Sequence, residues 1–364
     1  CHQSAQFQCI CFDNRIIQVS CFIPTIMKKT SLLLTVLAAI FCMAAYGQAP
    51  GRPAITPEYT PVHDPVVAFC DGRYYMFSTG MGISVMSSDD MKNWRPERQV
   101  LNPIPEWAVK AVPGYNGHTW APDIIYHNGL WYLYYSCSTF ASNGSCIGVA
   151  TNKTLNPESP DFKWTDHGMI IQSVPNRDKW NAIDPNIIID EEGTPWMAFG
   201  SFWDGLKITR LDESMLKLSD PQEWHPLWHR PELMSGKMDL KSEPGDGAVE
   251  APFIFRHDGW YYLFASLDLC CRGENSNYKV AVGRSKTVTG PYLDMDGKPV
   301  TDGGGTIIAQ SNDRYVGVGH CAVVTFDGKD YIFMHGYDKT RRYNSMLIIR
   351  TIVWDKDGWP IINL

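Results

Sequence analysis

The chain has 364 residues, 44% of them hydrophobic and 12% aromatic, with 32 basic against 39 acidic side chains for a net charge of −7. No basic run interrupts it, which argues against nucleic acid as a partner, because phosphate binding draws on clustered Lys and Arg. The length suits one large domain, and a neutral substrate is expected.

In chain order, Met27-Lys28-Lys29 precedes an apolar run from Leu32 to Ala45 and the small-residue site Ala45-Tyr46-Gly47. This pattern reads as a signal peptide over 27–47, cleaved near Gln48. The run is shorter than the ~20 apolar residues a membrane span needs, so no membrane association is expected. A lipid anchor on Cys42 is disfavoured by bulky Phe41 before it. Residues 1–26, upstream of Met27, read as a segment translated from a mistaken start. Residues 48–364 are then one exported domain, secreted or periplasmic.

Five copies of one phrase fill that domain. They are His63-Asp64-Pro65 to Asp71-Gly72, Trp120-Ala121-Pro122 to Asn128-Gly129, Ile183-Asp184-Pro185 to Glu192-Gly193, Glu250-Ala251-Pro252 to Asp258-Gly259, and Gly319-His320-Cys321 to Asp327-Gly328. Each reads as a strand, a turn and a second strand, and Asp-Gly or Asn-Gly in four of the five is a favoured short hairpin turn. The anchors Pro65, Pro122, Pro185, Pro252 and Cys321 lie 57 to 69 residues apart, close to the length of a four-stranded propeller blade. The predicted fold is therefore all-β, a five-bladed β-propeller.

Six of the 11 cysteines fall in this domain, at spacings that fit no zinc motif. Cys137 and Cys146 flank a loop of suitable size for a disulfide, with buried free thiols as the equal alternative. Cys270-Cys271 would bridge only with strain.

In a propeller the first strand of each blade lines the central channel, so the start of each copy faces one mouth. That placement gathers Asp64, Asp184, Glu250 and His320 around one opening. One Asp-Pro pair is an ordinary turn starter; three carboxylates and a histidine in one register point to acid/base chemistry. With 13 tryptophans and 17 tyrosines, a sugar is the expected substrate, because aromatic faces stack on the C–H faces of sugar rings. Trp120, Phe140 and Trp203 are the candidate contacts, and most other aromatics read as blade core. Asp123 lies two residues past the Asp64 register and reads as a structural hydrogen-bonding partner. His225, His229 and His257 read as surface residues.

In order along the chain, His63-Asp64-Pro65, Gly117-His118-Thr119-Trp120-Ala121-Pro122-Asp123, Ala182-Ile183-Asp184-Pro185-Asn186, Gly200-Ser201-Phe202-Trp203, Val249-Glu250-Ala251-Pro252-Phe253, Leu269-Cys270-Cys271-Arg272-Gly273 and Gly317-Val318-Gly319-His320 resemble the family 43 glycoside hydrolases. Within that family the set is most similar to the endo-acting α-1,5-L-arabinanases. The resemblance implies an inverting hydrolase that cuts internal bonds of arabinan. It implies Asp64 as general base, Glu250 as general acid, and Asp184 as the third carboxylate that orients the acid and raises its pKa. It adds Ser201 to the substrate contacts, places a largely water-coordinated calcium beside His320, and makes the partner a plant cell-wall polysaccharide, arabinan or arabino-oligosaccharides, met by a monomer. Calcium prefers oxygen ligands and no Asp-x-Asp-x-Asp-Gly loop is present, so a hydrogen-bonding His320 is the other reading. An exo-acting arabinofuranosidase or β-xylosidase would use the same acids, and a glycan-binding propeller is the non-catalytic alternative.

Overall fold

In the computed structural model the described residues are 56–230 and 248–364. The expectations for 1–26, for the signal peptide and for Cys42 lie outside them. Among the described residues, no helix is long and apolar enough to cross a membrane.

Hairpin turns set the architecture. Asp71-Gly72, Asn128-Gly129, Asp258-Gly259 and Asp327-Gly328 all place both residues at positive φ, between 47° and 84°. That is the two-residue turn whose twist matches antiparallel strands. The weaker Glu192-Gly193 turn is longer, and the Asp190 carboxylate closes it by accepting the N–H groups of Glu192 and Thr194 at 2.9 and 2.8 Å.

Among the described residues five blade sheets follow, all antiparallel, beside a two-stranded ribbon of Val353–Trp354 and Pro360–Ile361. Blade 1 comprises Val66–Cys70, Arg73–Ser78, Ser84–Ser88 and Arg95–Pro96. Blade 2 comprises His118–His127, Leu130–Cys137, Ser145–Asn152 and Thr165–Ser173, with Gly80–Met81 added to its first strand. Blade 3 comprises Asn186–Ile189, Pro195–Phe199, Leu206–Arg210 and Trp224–Trp228. Blade 4 comprises Val249–His257, Trp260–Leu267, Lys279–Ser285 and Thr306–Ala309. Blade 5 comprises Tyr315–Phe326, Lys329–Asp338 and Asn344–Thr351. The first strands touch one another in cyclic order, the fifth meeting the first, so they form the inner wall of a five-bladed propeller.

The ring is closed by the segment before blade 1. Val62 N–H donates to Ser345 O at 3.2 Å, Leu347 N–H donates to Thr60 O at 3.0 Å, and Ser345 Oγ–H donates to Val62 O at 2.6 Å. This segment thereby lies along the outer strand of blade 5.

Apolar cores sit between neighbouring blades. Tyr75, Phe77 and Val85 meet Leu133 and Tyr135 between blades 1 and 2, while Tyr134 and Ile147 meet Met197 and Phe199 between blades 2 and 3. Ala198 and Ile208 meet Leu263 and Ala265, Phe264 and Val282 meet Val323 and Met334, and Phe333 and Leu347 meet Val67 and Met76 across the closure. Each fully buried side chain of this kind stabilises the ring by about 1.5–3 kcal/mol.

Cys137 and Cys146 stand directly opposite each other in paired strands, buried and free. Of the histidines expected at the surface, His257 is half-buried and stacks on Trp354 with centroids 3.9 Å apart. His229 keeps a buried Nε2. Both depart from expectation because packing between neighbouring segments, which local sequence does not show, covers them.

Candidate active site

The same kink recurs at the mouth of every blade. The residue before each anchor, Asp64, Ala121, Asp184, Ala251 or His320, has left-handed backbone with φ between 43° and 57°. In blades 2, 4 and 5 the ladder slips at this point. Such a bulge re-aims a side chain, and each non-glycine residue in this conformation costs about 1–3 kcal/mol that the surrounding fold must offset.

One expectation is corrected here. The three acids and His320 do not share a single register position. Asp64, Asp184 and His320 occupy the kink, whereas Glu250 lies one residue earlier and pairs with Ser266 on the next strand. In blade 4 the kink itself holds Ala251, and the carboxyl group comes from the longer side chain of the residue before it.

Asp64 is surrounded by nitrogen and hydroxyl donors. Its Oδ2 accepts the Thr79 hydroxyl, and its Oδ1 lies 3.1 Å from His320 Nδ1. Burial alone would raise its carboxyl, but His320 and His63 pull it well below the usual carboxylate range, while His335, neutral, takes the Asp64 N–H instead. Glu250 meets hydroxyls instead: Ser201 Oγ–H donates to Oε2 at 2.7 Å and Tyr278 Oη–H donates to Oε1 at 2.8 Å. Burial raises its carboxyl, partly offset by those two donors. Asp184 is raised well above the carboxylate range by burial first, then by the charges of Glu250 and Asp64, against the pull of the Ala251 N–H, which reaches its Oδ2 at 3.1 Å. Burial contributes more to the elevation of Asp184 and of Glu250 than the neighbouring charges do.

These acids open into a cleft of about 840 Å³. Trp120, Phe140, Ser201 and Trp203 line it as expected, joined by His118 and Tyr343. Phe140 is 70% exposed, and Trp120 Nε1–H is held by His118 Nδ1 at 2.8 Å. The Ser201 hydroxyl is committed to Glu250, so its contact is with the acid. Cys270 and Cys271, both free, also line the cleft. Asp123 lies deeper, 4% exposed, and accepts Ile187 N–H at 2.6 Å and Asn186 Nδ2–H at 3.2 Å from blade 3. Burial pushes its carboxyl up to about 7.

The imidazoles near Asp64 differ in which nitrogen is free. Asp64 N–H donates to His335 Nδ1 at 3.2 Å, so that nitrogen keeps its lone pair and the ring proton sits on Nε2. Burial and the neighbouring His63 hold this ring neutral, and its Nε2 is buried without a partner. His335 therefore has no lone pair free for a metal, although it stands within reach of His63 and Asp64. His320 is the reverse case. Its Nδ1 faces the Asp64 carboxylate, which leaves the Nε2 lone pair open, the arrangement found where a carboxylate orients a metal-ligating imidazole.

Sequence reasoning missed Thr79, Ser136, Ser266, His335 and Tyr278. A signal for the first four was present, since they and Gly200 all lie seven residues after a turn glycine, from Gly72 to Thr79 through Gly328 to His335.

A propeller whose mouth gathers one carboxyl pulled well down, another pushed up by burial, and aromatic side chains has the equipment of a glycoside hydrolase. The profile of Glycosyl hydrolases family 43 matches residues 59–360. The chain belongs to this family. It is 49% identical over 302 residues, 83% of this chain and 86% of the other, to an extracellular exo-α-(1→5)-L-arabinofuranosidase of Cellvibrio japonicus. It is 38% identical over 304 residues, 82% of this chain and 87% of the other, to the extracellular endo-α-(1→5)-L-arabinanase 1 of Bacillus subtilis. A solved exo-1,5-α-L-arabinanase from a bovine ruminal metagenomic library is 51% identical with a TM-score of 0.79, covering 85% of this chain and 99% of that one.

Proposed function

We propose that this protein hydrolyses the α-1,5-L-arabinofuranosidic bonds of arabinan with inversion at the anomeric carbon. The observation that carries the reading is the opposite tuning of two carboxyls in one cleft: His320 and His63 pull the Asp64 carboxyl well below the usual carboxylate range, and burial pushes the Glu250 carboxyl up. Asp64 takes a proton from the attacking water, and Glu250 gives its proton to the departing glycosidic oxygen. Asp184, raised by burial and by the Glu250 charge, fixes the backbone beside Glu250 through Ala251 N–H. Trp120, Phe140 and Trp203 supply faces for the sugar rings.

For the mode of action we favour release from a chain end, because two relatives about half identical to this chain carry exo names. Internal cleavage, the expectation from the motifs, has support from the 38% identical endo-arabinanase. Incubating protein from Gln48 onward with linear α-1,5-arabinan, with product lengths resolved over time, separates them. Short product from the first time points means chain-end release, a ladder means internal cleavage, and no sugar released at all contradicts the activity. The extracellular names of the relatives support export of this chain, tested by finding it in the culture medium.

The calcium expected beside His320 is part of the proposal. His320 Nε2 would hold it, with waters completing its shell, and its chemistry would be a fixed positive charge near the base. About one calcium per chain in the native protein and none after His320→Ala, by atomic emission, is the expected result; no metal in the native protein contradicts it.

A further inference from the structure

Left-handed backbone at the five kinks turns an N–H away from its own ladder, and a buried N–H must find an acceptor. In four blades the acceptor is a side chain on the second strand of the preceding blade. Ala121 N–H donates to Thr79 Oγ1 at 2.9 Å, from blade 2 back to blade 1. Asp184 N–H donates to Ser136 Oγ at 3.0 Å, from blade 3 to blade 2. His320 N–H donates to Ser266 Oγ at 2.8 Å, from blade 5 to blade 4. Asp64 N–H donates to His335 Nδ1 at 3.2 Å, across the ring closure.

The remaining link, from blade 4 to blade 3, is made differently. At the equivalent place stands Gly200, whose N–H donates to Ile183 O at 2.9 Å. No larger residue fits there, because a Cβ on Gly200 would stand 2.7 Å from Gly205 O and the backbone has φ of +126°. The Asp184 carboxylate supplies the missing acceptor, taking Ala251 N–H at 3.1 Å. Five hydrogen bonds thus run around the mouth in one direction, and one of them is made by a reacting group.

We infer that Thr79, Ser136, Ser266 and His335 are positioning residues, which hold the acids of the cleft at their working separations by capping the kink of the next blade. This rests on the proposed hydrolysis. Thr79 serves twice, since the hydroxyl that accepts from Ala121 donates to Asp64 Oδ2. Ser136 fixes Asp184, and Asp184 fixes the peptide that follows Glu250, so one buried hydroxyl sets the place of both carboxyls. Ser266 sets His320, which in turn faces Asp64. Of the four caps, Ser136, Ser266 and His335 are fully buried, so water cannot replace them when deleted without rearrangement.

The test compares Ser136→Ala and Ser136→Thr with Ser285→Ala, a buried serine of the outer part of blade 4 whose hydroxyl caps only its own turn. Displacement of a reacting group by about 1 Å costs up to about 100-fold in rate. Ser136→Ala is expected to lose about 10- to 100-fold in kcat with KM unchanged, at a melting temperature close to that of Ser285→Ala, and Ser136→Thr is expected to recover most of the loss. A kcat for Ser136→Ala equal to that of Ser285→Ala overturns the inference while leaving the hydrolase reading intact. A crystal structure of Ser136→Ala reads the same inference without activity: the Asp184 carboxylate is expected to leave Ala251 N–H, and an unmoved carboxylate overturns it. Absence of activity in the native protein counts against the hydrolase reading alone, and the crystal structure then decides the capping role.

Discussion

Blade 1 and blade 4 start from the same repeat and carry carboxyl groups into the same cleft, yet they treat them oppositely. In blade 1 the kink itself bears Asp64, and imidazoles from blades 1 and 5 crowd its oxygens. In blade 4 the kink bears Ala251, and Glu250 reaches the cleft from the preceding position into a lining of two hydroxyls. Imidazole N–H groups and nearby histidine charge favour an ionised carboxylate; hydroxyls in a buried site do so more weakly. A division into base and acid thus needs no difference in residue chemistry, only a one-residue difference in register and a different set of neighbours.

The comparison breaks most severely if either carboxyl is removed. Asp64→Ala and Glu250→Ala are each expected to lower kcat on arabinan by about 10²–10⁴-fold, with melting temperatures near the native value. Next comes the imidazole that distinguishes the blade 1 environment. His320→Ala is expected to cost about 10–100-fold in kcat/KM, the usual size for losing a group that orients a reacting carboxylate.

A smaller change sharpens the blade 4 side. Under the proposed mechanism Glu250 acts as the protonated acid, and burial raises its carboxyl, so activity is expected below its folded pKa and is expected to be lost as pH rises through it. The Tyr278 hydroxyl stabilises the ionised form. Tyr278→Phe is therefore expected to move the basic limb of the kcat/KM profile to higher pH, with only a few-fold change in kcat at the optimum. A limb that moves to lower pH, or stays in place, contradicts this environment for Glu250.

The smallest effect concerns stability. Asp123 has its carboxyl raised from 3.8 to about 7, so between those values the folded chain binds a proton that the unfolded chain has released. Stability then falls as pH rises from about 4 through about 7. Asp123→Asn is expected to flatten that fall in a series of denaturant titrations.

The five blades were legible because their signals are local: Asp-Gly and Asn-Gly turns, the anchoring prolines and the apolar runs between them. The candidate acids were legible because they stand beside those anchors. What escaped depends on contacts between blades. Alignment on Pro252 sets Ala251, not Glu250, opposite Asp64 and Asp184, whereas the slip of the ladder that lets Glu250 reach the cleft is a property of pairing with Ser266 and the strand beyond. Ser136, Ser266 and Thr79 look like ordinary polar residues at strand ends until the next blade supplies the N–H they accept. The spacing of seven residues from Gly328 marks the place of His335, but its tautomer follows only from the Asp64 N–H that faces it.

The most direct test of the acid and base assignment varies the leaving group. Glu250→Ala and Asp64→Ala should be assayed on arabinan and on a 4-nitrophenyl glycoside of an arabino-oligosaccharide, whose nitrophenolate departs without a proton. Glu250→Ala is expected to lose about 10²–10⁴-fold on arabinan and little on the nitrophenyl glycoside, while Asp64→Ala loses heavily on both. Equal losses for Glu250→Ala on the two substrates would contradict its role as the proton donor.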